Sequence, residues 1–165
     1  MLVDFNTLPE DARIWIYQSS RIFTEQEIKI LEREVADFID VWTRHGDAIK
    51  GGFSILYKQF LVLAIDESHA TASGCSIDSS VNFIKKTEER FSVDMLNKLN
   101  LSYKVGEEIF ILNLADFQKA VETNKITSQT IVFNNMVQTK ADLLDKWEVP
   151  ANKSWHRRFF KEASV

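Results

Sequence analysis

Apolar side chains recur along the chain at the spacing of amphipathic helices in four places. From Thr24 onward they fall every three or four residues, which predicts a long helix. Thr24 and Glu27 form the Thr-x-x-Glu pattern of a capping box at its start. A second long helix is predicted from Ile77 to Phe91, and shorter ones after Asn113 and Thr139.

Short runs rich in β-branched and aromatic residues separate these helices and predict strands. The run Phe60–Ile65 is apolar throughout, which is typical of a central strand covered on both faces. A short helical piece is expected over Asp94–Leu99. The predicted strands and hairpins lie at Ile14–Tyr17, 53–65, 101–112 and 130–133.

Hairpins interleaved with helices predict an α+β fold, with a mixed, mainly antiparallel sheet of about five or six strands. No Pro/Gly-rich or low-complexity stretch interrupts the 165 residues. We therefore expect one domain over residues 1–165, which begins with a short irregular arm over residues 1–12.

Composition favours a soluble cytoplasmic protein. The net charge is −4 and the pI is about 5.4, whereas nucleic-acid binding requires a basic face. The longest apolar run is far shorter than a membrane span. A single cysteine forms no internal disulfide, and the first residues lack the pattern of a signal peptide.

The junction between Ile65 and the second long helix is the first candidate site. Backbone N–H groups at a helix start lack partners and attract anions. The predicted contacts for an anion or small ligand are Ser73, Gly74, Ser76, Asp78 and Ser79. The alternative is ordinary capping, which the same residue types provide and which is more frequent.

The same junction carries the only cysteine, Cys75. A helix start lowers the pKa of a thiol and favours the nucleophilic thiolate. His69 and Asp66 are the candidate base and orienting group, so a thiol-dependent enzyme is the alternative hypothesis. Free cysteines are, however, more often small core residues.

The segment from Trp155 to Lys161 is basic and aromatic in an acidic chain. One interpretation is a surface for an anionic partner or nucleic acid, formed by Trp155, His156, Arg157 and Arg158. The other, favoured because the cations are few, is an aromatic anchor of the C-terminal segment on the core with the arginines in water.

Motifs for nucleotides and metals are absent. Gly46 and Gly51 have the spacing of a phosphate-binding loop, but Gly52 and Phe53 replace its Lys and Ser/Thr. The histidines are too scattered for a metal site, so we predict no metal and no cofactor. The best-supported function is a binding or interaction domain without ATPase activity, with an unknown small anion, a protein or a second copy as partner.

Several segments resemble an uncharacterised family of short bacterial proteins whose members often carry the label "ABC transporter ATPase". The chain lacks the phosphate-binding loop that this label implies. The resemblance implies an intracellular single-domain protein and transfers no catalytic residues. The segments that carry it are Arg13-Ile14-Trp15-Ile16-Tyr17-Gln18, Gly74-Cys75-Ser76-Ile77-Asp78, Thr130-Ile131-Val132-Phe133-Asn134-Asn135, Trp147-Glu148-Val149-Pro150 and Ser154-Trp155-His156-x-Arg158-Phe159-Phe160.

Overall fold

The computed structural model describes residues 1–43, 49–68 and 74–160, with only the backbone described at residues 74–76. The described part confirms the α+β class, and its ladders are antiparallel. Its helices are α1 (Glu25–Trp42), α2 (Gly74–Phe91), α3 (Leu114–Glu122) and α4 (Lys140–Asp145). Its strands are β1 (Arg13–Gln18), β2 (Lys50–Leu56), β3 (Phe60–Asp66), β4 (Asn100–Val105), β5 (Glu108–Asn113), β6 (Ile131–Phe133) and β7 (Glu148–Pro150).

Contacts between residues are concentrated within two compact units of the chain. The prediction of one domain over residues 1–165 therefore stays a prediction. Unit 1 comprises Met1–Leu96 with Gln138–Ala141, and unit 2 comprises Asn97–Val137 with Asp142–Val165. Each unit has its own sheet and its own hydrophobic core. The strands therefore form two sheets, where the sequence pattern had indicated one.

The sheet of unit 1 has the order β1-β3-β2. β3 is its central strand, and its apolar side chains from Phe60 to Ile65 are buried, as the continuous apolar run predicts. On one face, Leu61, Leu63 and Ile65 belong to a core cluster that also contains buried side chains of α1. Burial of this apolar surface is the main stabilising contribution in unit 1.

The predicted capping box at the start of α1 is confirmed. The Thr24 hydroxyl accepts from the Glu27 N–H, and the Glu27 carboxylate accepts from the Thr24 N–H. Arg21 also donates two hydrogen bonds to Glu27, at 2.8 and 2.9 Å, and one to the Phe91 carbonyl at the end of α2. These contacts fix the entry to α1 relative to the end of α2.

Replacement of Glu27 by glutamine is expected to cost about 1 kcal/mol of stability at neutral pH. The Arg21 hydrogen bond, followed by the Thr24 N–H, lowers the pKa of Glu27 from 4.5 to about 2. The stabilisation is therefore complete above pH 4.5 and lost as pH falls towards 2. Urea unfolding of the variant and of Glu32→Gln, which removes an exposed carboxylate of the same helix, measures the difference. Equal costs in the two variants would contradict a stabilising role of the Glu27 charge, because glutamine at this position can still complete the capping box.

The N-terminal arm is largely irregular, as expected, with a short 3-10 helix at Phe5–Thr7. Its first residues pair with β2. Gly51 donates to the Met1 carbonyl at 3.0 Å, and Val3 donates to the Gly51 carbonyl at 2.9 Å. A Cβ atom at Gly52 would lie 3.0 Å from the Val3 carbonyl oxygen, so glycine allows this close approach.

The sheet of unit 2 has the order β5-β4-β6-β7. Leu101 and Tyr103 of β4 pack with Phe117 of α3, which the Asn113 side chain caps as predicted. Tyr103 also stacks on Phe110 with a 5.2 Å centroid distance. This aromatic cluster is the centre of the unit 2 core.

One local prediction was wrong, and one short strand was not predicted. Residues 94–99 form no helix, because Ser92 has a positive φ and the Glu88 carboxylate accepts from the Met95 and Leu96 N–H groups. β7 was not predicted. It is only three residues long and ends at Pro150, whose missing N–H is tolerated on an edge strand.

Candidate functional site

A groove with a volume of about 590 Å³ runs beside β2 in unit 1. Cβ directions alternate along a strand, so residues 51, 53 and 55 share one face and residues 52 and 54 share the other. A Cβ at Gly51 would point at Thr43 and Ile39, whereas a Cβ at Gly52 would point at the arm. The groove is lined by α1 (Ile28, Glu32), the arm (Leu2, Val3, Asp4, Phe5), β2 (Phe53, Ser54, Ile55) and Lys58.

Helix α1 and the N-terminal arm form the two walls of this groove. Between them, a stretch of the β2 edge in the described part of the chain is not paired with another strand. The N–H and C=O of Gly51 point away from β3, because both bond to the arm. Backbone groups alternate in direction along a strand, so those of Phe53 and Ile55 point the same way as those of Gly51. In the described part of the chain, no hydrogen bond reaches the outward groups of Phe53 and Ile55. The groove therefore presents two donors and two acceptors in the pattern of a sheet edge.

The side chains around this edge are apolar at the floor and mainly acidic at the rim. Phe53 and Ile55 are half-buried and pack on the unit 1 core. Asp4 and Glu32 are exposed carboxylates, and no salt bridge to either is found in the described ranges. The one lining cation, Lys58, forms an ion pair with Glu25. The rim thus carries an excess of negative charge.

This arrangement can hold an extended polypeptide. A peptide that aligns with the edge gains main-chain hydrogen bonds, and its alternate side chains contact the two walls. Burial in the groove strengthens those bonds, because competing water is excluded. Phosphate recognition does not fit, since the rim is acidic.

The first candidate site from the sequence lies mostly outside the described residues. Asp66 accepts from the N–H and the hydroxyl of Ser68, and Asp78 and Ser79 are exposed near the start of α2. The helix begins at Gly74, three residues before the predicted start at Ile77, so Asp78 and Ser79 lie beyond its first turn. The positions outside the description are His69 and Ser73, and also the side chains of Cys75 and Ser76 and the surroundings of Gly74.

The second candidate from the sequence, formed by Trp155, His156, Arg157 and Arg158, is only partly exposed. Arg157 and Arg158 are exposed, and Arg158 lies over the Trp155 ring, with its guanidinium carbon 5.5 Å from the centroid. Trp155 packs on the unit 2 core, and His156 is 1% exposed, so it does not contribute to the surface. The arrangement corresponds to an aromatic anchor with the arginines outside.

His156 forms an enclosed pair with Ser154. The Ser154 hydroxyl and His156 Nδ1 are 2.7 Å apart, and Trp155 stacks on the imidazole at 4.0 Å. Nε2 is buried and has no hydrogen-bond partner among the residues that the structure describes. Burial lowers the pKa of His156 to about 4, with a smaller contribution from Arg158. The imidazole is neutral at pH 7, and no carboxylate among the described residues orients it as in a nucleophile-base-acid arrangement.

Metal clusters and membrane-spanning helices are both absent from the described residues. Within the described ranges, no group of three or more His, Cys, Asp or Glu side chains is placed to hold a metal ion. Likewise, no helix there has both the length and the apolarity of a membrane span. Comparison of the chain with protein-family models, with curated proteins and with solved structures finds no match in any of the three.

Proposed function

We propose that the protein is a binding domain that takes an extended polypeptide segment of a partner protein as an additional strand beside β2. The observation that carries the proposal is the unpaired edge of Phe53 and Ile55 at the floor of a groove. Main-chain hydrogen bonds supply affinity in this mode, and contacts of alternate side chains supply specificity.

The groove walls define the chemistry of the segment. Phe53, Ile55 and Ile28 offer apolar contacts, so the segment carries apolar side chains on the face towards α1. Asp4 and Glu32 favour Lys or Arg at neighbouring positions, because opposite charges select partners and accelerate association. An acidic segment is disfavoured by the same charges.

Replacement of Ile55 by proline tests the proposal. Proline removes one outward N–H and places its ring at the edge, yet it leaves the β3 ladder intact, because this N–H points away from β3. Peptides selected from a random library on the native chain are expected to bind the variant at least about tenfold more weakly. Titration calorimetry with the same peptides measures the affinities.

Ile55→Val is the matched control, since it keeps the N–H and the strand propensity and should bind the peptides nearly as well as the native chain. Glu32→Gln should weaken the binding of basic peptides and reduce the dependence of binding on salt. If the library yields no peptide, or if the selected peptides bind Ile55→Pro as tightly as Ile55→Val, the proposed function is wrong.

A further inference from the structure

Another unpaired sheet edge in the described part of the chain lies in unit 2. β5 is an edge strand of six residues, and four consecutive apolar residues, Ile109 to Leu112, form its centre. All four are partly exposed. In the described part of the chain, no hydrogen bond joins the outer edge of β5 to another segment. A long, apolar and unprotected edge of this kind is a template for pairing with another strand.

The hairpin fixes which backbone groups of β5 face outward. Gly106 and Glu107 form a two-residue turn, and Val105 and Glu108 flank it as the closing pair. Glu108 therefore faces β4, and by alternation so do Phe110 and Leu112. The N–H and C=O groups of Ile109 and Ile111 face away from the sheet, as does the N–H of Asn113.

We propose that β5 pairs antiparallel with β5 of a second copy of this chain, about a two-fold axis at Ile111. In this register Ile111 faces Ile111 of the second copy, Ile109 faces Asn113, and Phe110 faces Leu112. Such an interface is self-complementary, as a two-fold dimer requires. It joins the two four-stranded sheets into one and removes two edges at once.

Hydrogen-bond direction and side-chain chemistry select this register. In an antiparallel pair, a residue with outward groups must face a residue with outward groups. The alternative centred on Phe110 also satisfies this rule, but it places each Glu108 carboxylate opposite the apolar Leu112 side chain. The Ile111-centred register pairs Ile111 with Ile111 and Phe110 with Leu112, and the polar residue opposite Ile109 is the uncharged Asn113, whose carbonyl belongs to α3. Four main-chain hydrogen bonds remain, two between the Ile111 residues and two from the Asn113 N–H groups to the Ile109 carbonyls.

The charges near the β5 edge also allow a second copy of the chain to pair there. In the Ile111-centred register the two Glu108 carboxylates lie roughly 20 Å apart along the strands, at 3.4 Å per residue. That distance exceeds the screening length of about 8 Å at physiological salt. The β2 groove plays no part in this pairing, so the proposal does not rest on the proposed function.

Sedimentation equilibrium of the full chain, together with amide hydrogen exchange, tests the proposal. The mass should rise from monomer to dimer with concentration, and the Ile111 and Asn113 amides should become protected over the same range. Ile111→Pro removes both central hydrogen bonds without touching the β4 ladder, and should raise the dimer dissociation constant at least about tenfold. Ile111→Val keeps the N–H and should dimerise like the native chain.

Three results would overturn the proposal. One is a monomeric mass at the highest concentration that stays in solution. Another is a dimer in which the Ile111 and Asn113 amides exchange as fast as in the monomer, because another surface would then be paired. The third is equal dimerisation of Ile111→Pro and Ile111→Val, with both variants folded by circular dichroism.

Discussion

Replacement of Phe23 by alanine is expected to lower the free energy of unfolding by about 4 kcal/mol. The ring is 1% exposed and packs edge-to-face on Phe91 with a centroid distance of 5.6 Å. Its backbone N–H donates to the Lys58 carbonyl in the turn between β2 and β3. The residue therefore links the entry of α1, the end of α2 and the hairpin, and its removal leaves a cavity where all three meet.

Ile22→Ala is the matched control for this change. The Ile22 side chain is adjacent in sequence but 56% exposed, so its truncation should cost no more than about 0.5 kcal/mol. Urea unfolding monitored by circular dichroism measures both variants. Similar costs for the two would contradict the placement of Phe23 at this junction.

Lowering the pH from about 6.5 to about 4 is expected to remove about 3 kcal/mol of stability through His156 alone. The imidazole has a pKa of about 4 in the folded chain, against 6.5 for an ordinary histidine. Between these values the unfolded chain binds a proton that the folded chain does not bind. Stability therefore falls as the pH is lowered through this window, and it is unaffected by this residue above about pH 7.

Unfolding free energies of the native chain and of His156→Asn, measured across the window, isolate this contribution. Asparagine does not titrate, and its amide can still reach the Ser154 hydroxyl. The other two histidines are present in both proteins, so their contribution cancels. The variant should show a flatter pH dependence, whatever its stability at neutral pH. Parallel curves would contradict the neutral, buried state of His156.

Elements governed by local rules could be predicted from the sequence. The Thr24–Glu27 capping box and the Asn113 cap depend on neighbouring residues, and the burial of Phe60–Ile65 follows from an uninterrupted apolar run. The path of residues 94–99 could not be predicted, because it depends on side-chain hydrogen bonds from Glu88 in the last turn of α2, which no helical spacing pattern shows. The division into two sheets depends on which strands pair. The sequence of a strand contains little information about which other strand it pairs with.

The groove could not be predicted for the same reason. Alternation marks Phe53 and Ile55 as strand residues, but no local pattern shows that their outer edge is unpaired. One wall consists of the irregular arm, whose contact with Gly51 and Gly52 joins residues about 50 positions apart. The glycine pair itself was the one available signal, since glycine in a strand often marks a close backbone approach.

Amide hydrogen exchange at β2, with and without a peptide selected on the native chain, tests the central claim most directly. We predict that the Phe53 and Ile55 amides exchange rapidly in the free protein and become protected in the complex. The Ser54 amide, which faces β3, should already be protected without peptide. Binding that leaves the Phe53 and Ile55 amides at their free rates would show that the peptide does not add a strand at this edge.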